Sequence, residues 1–526
     1  MEQGNQGIYV RRSSGLMREI SGSHALAINI MGAGFFYAIL NVMWGAALFP
    51  GANLAISALI GMILNLPISF LYFYFTVIMP RSGGDYIWMS RSLHPAVGFI
   101  LNLGIVFSNV IIIGADVVWA FKYALGPAFY ILGLITGNSV YFSVSQVFNS
   151  SIVIALTIVI WVIILGFIFT RRPKLLGRVI LSLFIFALIT IIIYIISNLV
   201  LANTTFINNF NKYSGMNYNN LISLGSSRGY PMVTLASATL FSTVYTFLEY
   251  EGITFSAYYG GELKNVQKSA FLSIVISTIL LGVIIVAIYA STYYAFGFGF
   301  IQTIAMISQT GDPAWKLPFI PFTTVLWMFW NPVIGFIVIL GFVIAMFAAM
   351  SSYLFVSTRS IFAYSFDRIL PSWFAKVSKT GSPYTSSIFI TILAVITGLL
   401  YIYTPAFEYL LYTADLMLIP FAVVGAIAIF FPFKKKEIFE NAPDFIKKKV
   451  WKIPVLSIIG VLALGSSLFA IVSSFVPTFG GVIDPISIVY TFSIYIVGLV
   501  IYIIAHYYRK AKGLPLEYSF KEVPPL

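Results

Sequence analysis

Two acidic residues and a glycine lie together inside an otherwise apolar stretch of the sequence. Residues 247–252 read FLEYEG, so Glu249 and Glu251 are two positions apart and Gly252 follows directly. A buried carboxylate needs a partner, a cavity or a proton, because its ionised form is costly to remove from water. The chemistry open to these acids is binding of a cation or uptake and release of a proton. The structural alternative is that one acid hydrogen-bonds to a neighbouring helix while the other lies near water.

The spacing of the two acids constrains the element that carries them. Residues two apart on an α-helix point about 200° apart, so Glu249 and Glu251 face one cavity only if the helix opens there. A second weak point lies in residues 30–36, IMGAGFF, where one residue separates Gly32 from Gly34. Glycine destabilises a helix interior by about 1 kcal/mol relative to alanine. These glycines indicate either an unwound stretch or close packing against another helix.

Two further acids, Asp116 and Asp415, also lie in apolar segments. Asp116 is a candidate either for a functional acid or for a buried structural hydrogen bond, and Asp415, closer to the end of its segment, favours a structural role. Lys122 is a poor partner for Asp116, because residues six apart on a helix point about 240° apart. The Lys122 amine is therefore expected to reach the outer surface.

The composition excludes most classes of soluble protein. Of the 526 residues, 60% are hydrophobic and 9% are charged, whereas about 25% charged residues is usual in globular proteins. So few charges cannot coat a surface of this size, which excludes a soluble enzyme, a nucleic-acid binder, a disordered scaffold and a coiled coil. Long unbroken apolar runs also exclude a porin-type barrel. A polytopic helical membrane protein remains.

Metal and thiol chemistry have little support in the sequence. There is no cysteine, which excludes disulfides and thiolate metal sites, and the three histidines lie at or near the ends of apolar segments. We expect no metal, no cofactor and no enzymatic activity.

Charge clusters and Pro, Gly and Asn breaks divide the chain into twelve predicted helices, each near the ~20 residues that cross a bilayer. The predicted helices lie near residues 24–48, 53–78, 96–121, 149–170, 178–201, 233–257, 269–295, 323–356, 384–403, 409–432, 453–475 and 486–508.

The positive charges favour one orientation of these helices. If both termini are inside, all but four of the 30 Lys and Arg residues fall on inner segments. Inner loops carry the excess of Lys and Arg, so both termini are predicted to be cytoplasmic. No short apolar region with a small-residue cleavage site is present at the start, so helix 1 is predicted to be a retained anchor. The four exceptions are Lys122, Lys212, Arg228 and Lys316.

Four segments resemble the amino acid-polyamine-organocation (APC) superfamily of permeases. They are IMGAG at residues 30–34, PRSGGDY at 80–86, Gly252 with GELKN at 261–265, and STRSIFAYSFDRILP at 357–371 with GSP at 381–383. They occur in the family's order and on the side that the charges predict. The resemblance implies an all-α membrane protein with 12 transmembrane helices in a LeuT-like 5+5 inverted repeat, with broken helices 1 and 6 and two extra helices.

This fold implies five parts of the chain. They are a cytoplasmic N-terminal segment (1–23), a ten-helix transport core (24–432), a basic cytoplasmic linker (433–452), helices 11 and 12 (453–508) and a cytoplasmic tail (509–526). Residues 203–231 and 296–322 are expected to be outer loops that cover the surface. Asn203 begins a glycosylation sequon on that side. The linker is expected to be solvated near anionic headgroups.

The resemblance also implies a substrate site. The substrate carboxylate is expected on the N–H groups around Ala33, Gly34 and Phe35, where a helix N-terminus attracts anions. The amine is expected near carbonyl groups in residues 249–252 and at residue 30 or 31, and Leu248 and Tyr353 fall where aromatic residues often cover the substrate. The full expected set is Ile30, Met31, Gly32, Ala33, Gly34, Phe35, Leu248, Glu249, Glu251, Gly252 and Tyr353.

Some positions depart from the family pattern. Thr254 stands where an acid often follows the helix 6 glycine, and helix 5 lacks the lysine found in some proton-coupled members. Ser351 and Ser352 either supply hydroxyls to a sodium site or bond to their own backbone. Glu249 and Glu251 are not standard family residues, so their role rests on burial alone. The candidate coupling residues are Glu249, Glu251, Asp116, Ser351 and Ser352.

We therefore expect a secondary active amino-acid transporter of the plasma membrane that works by alternating access. Proton symport or exchange is favoured over sodium coupling, since a buried carboxylate favours its protonated form. The expected partners are the bilayer, an amino acid or related amine, and protons or sodium, with no nucleic acid. The alternatives are an antiporter of cationic amino acids or polyamines, which acids would suit, and a channel or transport-like amino-acid sensor.

Overall fold

The computed structural model describes residues 15–171, 173–200, 203–513, 516 and 520. Regular structure in these residues is almost entirely helical, with one small hairpin of strands β1 (Lys449–Val450) and β2 (Ile453–Pro454) where the predicted basic linker ends. The prediction of an all-α polytopic membrane protein is confirmed. Four charges that entered the orientation count, Arg11, Arg12, Arg172 and Lys521, lie outside the described residues.

Up to residue 200, the described chain forms nine α-helices. A π-helical segment, Trp119–Leu125, joins α5 to α6, so one continuous span runs from Pro95 to Thr136. The predicted end near residue 121 is wrong, because Lys122 does not interrupt the helix and only points its side chain out to an exposed position. The helices are α1 (Gly22–Ala33), α2 (Tyr37–Leu48), α3 (Leu54–Ile78), α4 (Asp85–Ser92), α5 (Pro95–Val118), α6 (Gly126–Thr136), α7 (Ser139–Asn149), α8 (Ser151–Arg171) and α9 (Pro173–Val200).

The remaining chain forms fourteen more α-helices in the described residues. They are α10 (Asn203–Tyr213), α11 (Tyr218–Ser227), α12 (Ala236–Phe241), α13 (Thr243–Phe247), α14 (Val266–Ala270), α15 (Ser277–Phe296), α16 (Phe298–Gln309), α17 (Thr323–Trp330), α18 (Pro332–Phe366), α19 (Tyr384–Tyr403), α20 (Asp415–Lys434), α21 (Lys436–Glu440), α22 (Val455–Ser473) and α23 (Pro485–Ala511).

The predicted outer loops at residues 203–231 and 296–322 contain helices α10, α11 and α16. The reason is an aromatic pattern with helical spacing. Phe206 and Phe210 are four residues apart, which puts them on one face of α10. Both are buried, and both pack edge-on against Phe300 of α16. Aromatic packing thus turns these nearly uncharged segments into helices.

Eleven helices in the described residues are long and apolar enough to cross a membrane. The predicted sixth span, near 233–257, is not among them because it is divided into α12, α13 and a 3-10 helix, Leu248–Tyr258. The first span is also divided, since residues 34–36 separate α1 from α2. Both helices that were expected to be broken are therefore interrupted near the predicted positions.

Burial places the first span at the centre of the molecule. Its most apolar stretch is 89% buried, whereas that of α23 is 17% buried. Helix α1 packs against the 3-10 helix, α18 and α9, while α22 lies on α20 and α3. The last span packs against α5. The interrupted helices therefore lie inside a bundle, and α23 lies at its edge.

Candidate functional site: a cavity at two interrupted helices

A glycine ends the first half of the first span. The Gly34 N–H donates to the carbonyls of Ile30 (3.0 Å) and Met31 (3.1 Å), which closes the end of α1. Gly34 has a φ of +71°, and a Cβ there would lie 2.1 Å from the Tyr37 ring. Only glycine fits such a left-handed position beside a ring. Helix α2 then starts at Tyr37.

The two interrupted helices cross where glycines remove the side chains. A Cβ on Gly252 would lie 2.2 Å from the backbone N of Ala33, and one on Gly32 would lie 2.5 Å from the Phe255 ring. The structure therefore contains both features that the glycines at 32 and 34 indicated, a break in the helix and close packing against another helix. Gly32 allows close helix packing, and Gly34 ends a helix.

A cavity of about 400 Å³ lies beside this crossing. It is bounded by the end of α1, by α2, α5, the 3-10 helix and α18, and by residues 401–417, which run from the end of α19 to the start of α20. Seven of the eleven expected substrate-binding residues line it: Gly32, Ala33, Leu248, Glu249, Glu251, Gly252 and Tyr353. The other four are buried in the packing of the break and do not line the cavity: Ile30, Met31, Gly34 and Phe35.

Glu249 is held in the cavity by two neutral donors. Asn41 Nδ2 donates to its Oε1 at 2.6 Å, and the Tyr289 hydroxyl donates to the same oxygen. Its Oε2 is buried and has no hydrogen-bond partner among the described residues. One oxygen is therefore fixed by the protein, and the other is left for a ligand or a proton.

Asp116 does not line the cavity but is joined to it by a chain of two hydroxyls. The Tyr37 hydroxyl donates to Asp116 Oδ1 at 2.5 Å and lies 3.2 Å from the Tyr353 hydroxyl. Both tyrosines line the cavity. Because Tyr37 gives its proton to the acid, the Tyr353 hydroxyl is the donor to Tyr37, and its oxygen keeps acceptor capacity.

Glu251 differs from both acids. Its side chain is half-buried on the cavity wall, and no hydrogen bond is formed with any described residue; its Oε1 is buried without a partner. Glu249 and Glu251 thus face one cavity, which an unbroken α-helix would not allow.

The remaining candidate residues lie outside the lining. The hydroxyls of Ser351 and Ser352 are buried without partners in the described part of the chain. The Cβ of Ser352 lies 3.2 Å from where a Gly32 Cβ would be, so this serine faces α1. Asp415 accepts a hydrogen bond from Ser474 at 3.2 Å.

No Lys, Arg or His is among the described residues that line the cavity.

The sequence did not predict much of the cavity wall, above all its aromatic residues. Asn41 carried a detectable signal, since it is a polar residue in an apolar helix one turn after Tyr37. Tyr289 carried none, because a tyrosine in an apolar span looks like any core aromatic. The missed aromatic lining residues are Tyr37, Trp44, Trp119, Tyr245, Phe255, Tyr401 and Phe407.

Two buried ion pairs close the molecule on one side of the cavity. Arg359 lies six residues beyond Tyr353 on α18, or about 9 Å, and donates to both carboxylate oxygens of Glu262 at 2.9 Å. Arg91 donates to both oxygens of Asp367 at 2.6 and 2.7 Å. We call these four residues, together with Asp85, the floor.

Asp85 is the floor carboxylate that is held by neutral donors. Tyr72 and Tyr258 donate to its Oδ2 at 2.7 and 2.8 Å, and Asn102 donates to its Oδ1 at 2.6 Å. The Tyr364 hydroxyl in turn donates to Asn102. Burial raises the pKa of Asp85 to about 6, although these hydrogen bonds act in the opposite direction. Asp85 thus joins α3, α4, α5, α18 and the 3-10 helix.

Comparison with known sequences agrees with this architecture. No curated protein sequence matches the chain. The sequence model of a family described as amino acid permease matches residues 21–503, which include both interrupted helices, the cavity and the floor. The chain therefore belongs to the amino acid permease family of the APC superfamily and is a multi-pass membrane transporter of amino acids.

Proposed function

We propose that this protein is a secondary active amino-acid transporter of the plasma membrane that works by alternating access and is coupled to protons. The observation that carries the proposal is the cavity itself, which lies at the crossing of two interrupted helices and has acids on its wall. Unwound helices supply polar groups at membrane depth, where an unbroken helix has none to spare.

The floor is proposed to face the cytoplasm. Helix α19 starts soon after the floor residue Asp367 and runs for 20 residues, or about 30 Å, before it reaches the segment that lines the cavity. The part of the cavity that residues 401–417 line therefore lies at the end of α19 opposite the floor, and we place the cavity mouth there. The loops on the floor side carry Lys and Arg, which is typical of a cytoplasmic face. The conformation is therefore proposed to be outward-facing.

The substrate is proposed to bind across the break. The N–H groups of Gly34 and Tyr37 are already bonded to carbonyls of the break, so the carboxylate is placed on the remaining N–H groups at the start of α2. These groups lie at a helix N-terminus, which attracts anions. The ammonium group is placed near Glu251 and the Tyr353 oxygen.

Glu251 is proposed to carry the coupled proton. It lines the cavity without a hydrogen bond from any described residue, so none of these residues stabilises its charge by donating to it. Protonation in the outer medium and release inside would move a proton with the substrate.

The test is uptake of labelled amino acids into proteoliposomes with and without an inward proton gradient. We expect saturable uptake that the gradient stimulates, and loss of this stimulation in Glu251→Gln. The matched control is Glu408→Gln, which removes an exposed carboxylate next to the lining residue Phe407. Stimulation that persists in Glu251→Gln would remove Glu251 from coupling. Exchange without accumulation would mean an antiporter.

Sodium coupling is the second candidate, because Ser351 and Ser352 have buried hydroxyls without partners in the described residues. Replacing sodium by potassium in the same assay distinguishes the two. Proton coupling predicts that uptake is unchanged by this replacement. Uptake that requires sodium in the wild type and is lost in Ser352→Ala would instead assign the coupling ion to a sodium site at these serines. A conductance without saturation would indicate a channel, and binding without uptake would indicate a sensor.

A further inference from the structure

The cavity wall has more carboxyl groups than the ammonium group of a neutral amino acid can pair with. Glu249 and Glu251 line it, Asp116 lies behind Tyr37, and no cationic side chain is among the described lining residues. A zwitterionic substrate brings one ammonium and one carboxylate, so its net charge is zero. Because Glu251 is assigned to the coupled proton, a zwitterionic substrate leaves Glu249 without a partner, and a second cation would be attracted to it strongly in this low-dielectric site.

Glu249 is prepared to bind that cation. Asn41 and Tyr289 fix its Oε1, and both are neutral donors, so they orient the carboxylate without cancelling its charge. The free Oε2 is buried without a partner in the described residues. An oriented carboxylate with one open oxygen is a binding group, whereas the unfixed Glu251 suits a proton.

The position of Glu249 sets the length of the substrate. Tyr37 and Asn41 are four residues apart on α2, so the two contact Asp116 and Glu249 one helical turn apart, about 6 Å along the axis. A lysine or arginine stem of three or four methylenes spans a comparable distance. The α-amino group is proposed to bind at the break. The side-chain cation would then lie one helical turn beyond it, at Glu249.

Aromatic rings surround this end of the cavity. Trp44 lies three residues beyond Asn41, with its ring 5.8 Å from that of Trp119, and the Tyr245 hydroxyl donates to the Asn41 carbonyl at 3.5 Å. All three rings line the cavity. The faces of such rings attract cations.

We propose that the cavity selects an amine substrate that carries a second cationic group, and that Glu249 binds this group. The inference rests on the proposed transport function and names its substrate class. The sources of such a substrate are a cationic amino acid and a diamine without a carboxylate.

The first test uses the wild-type protein in proteoliposomes. Uptake of labelled lysine is measured in competition with lysine, norleucine, Nε-acetyl-lysine and cadaverine. We expect lysine to compete at least about tenfold better than norleucine or the acetylated form, since a hydrogen bond to a charged group is lost with the cation. Equal competition by norleucine would overturn the proposal. Cadaverine that competes as well as lysine assigns the site to diamines, and weak competition by cadaverine assigns it to cationic amino acids.

The second test assigns the selectivity to Glu249. The ratio of lysine to leucine uptake should fall at least about tenfold in Glu249→Gln, remain high in Glu249→Asp, and stay unchanged in Glu408→Gln. A ratio unchanged in Glu249→Gln would overturn the role of this residue. Should that variant fail to fold, the wild-type competition still decides the substrate class. Uptake of neither lysine nor leucine by the wild type would instead contradict the proposed function.

Discussion

At the scale of residues, the three acids around the cavity differ in what satisfies their carboxyl groups. Glu249 has two donors on one oxygen, Asp116 has one, and Glu251 has none among the described residues. The sequence could show where these acids lie but not how their surroundings differ, because their hydrogen-bond donors Asn41, Tyr289 and Tyr37 come from other helices. Their distinct surroundings are the basis for giving them distinct roles.

Tyr37 tests the hydroxyl chain. Tyr37→Phe removes the hydrogen bond to Asp116 and leaves a buried acid without its donor, which costs about 1–3 kcal/mol. We expect a lower thermal unfolding temperature in detergent and weaker substrate binding. Tyr123→Phe is the control, since the half-buried Tyr123 ring stacks on Phe322 and its hydroxyl bonds to no described residue. Equal destabilisation by the two changes would contradict this role for Tyr37.

At the scale of elements, the site depends on one close crossing of α1 with the 3-10 helix. The motif glycines indicated a break, but sequence alone could not say which glycine ends a helix and which allows contact. That distinction depends on φ at Gly34 and on the backbone that faces Gly252.

Gly252→Ala tests the crossing. The new methyl would lie 2.2 Å from the Ala33 backbone N, so the two elements must separate. Overpacking of this kind costs about 1–3 kcal/mol or more, and we expect loss of transport with lower stability. Gly465→Ala on α22 is the matched control, because nothing lies within 4 Å of its Cβ position. Normal transport by Gly252→Ala would show that the close crossing is not required.

Asp85 predicts a pH dependence of floor opening. Its pKa is raised to about 6 while it is buried, and hydration on opening should return it towards its usual value near 4. Protonation therefore stabilises the closed floor, and this stabilisation grows as the pH falls from about 6 to about 4 and is absent above that window. The groups that face Asp85 are Tyr72, Tyr258, Asn102 and, through Asn102, Tyr364.

We expect uptake into proteoliposomes to slow when the pH on the floor side falls from 6.5 to 4.5, with the outer pH held constant. Asp85→Asn cannot titrate and should flatten this component of the profile. A profile in Asp85→Asn identical with that of the wild type would assign the dependence to another group.

At the scale of the whole molecule, the sequence predicted the class, the breaks and the family, because hydropathy, glycine spacing and local motifs carry them. It did not predict the floor. Arg359 and Glu262 are 97 residues apart, and only the folded chain shows that they meet. Helices α10, α11 and α16 were missed because their apolar faces are short and lie within polar sequence.

The cysteine-free sequence allows a test of alternating access. Ser357 lies one turn beyond Tyr353 on α18, between cavity and floor, and is buried with no partner for its hydroxyl among the described residues. A membrane-impermeant thiol reagent on the floor side should label Ser357→Cys slowly without substrate and faster during transport. Ser372→Cys, at an exposed position on the floor side between Asp367 and α19, should be insensitive to substrate. If the labelling rate of Ser357→Cys were the same with and without substrate, this would contradict opening of the floor during transport.

The buried ion pairs of the floor have a kinetic consequence. Opening must expose Arg359, Glu262, Arg91 and Asp367 to water, and a carrier without cargo has no binding energy to offset the rearrangement. Its return across the membrane should then be slower than that of a loaded carrier. Substrate on the far side would accelerate uptake, so counterflow of labelled against unlabelled substrate should outpace net accumulation.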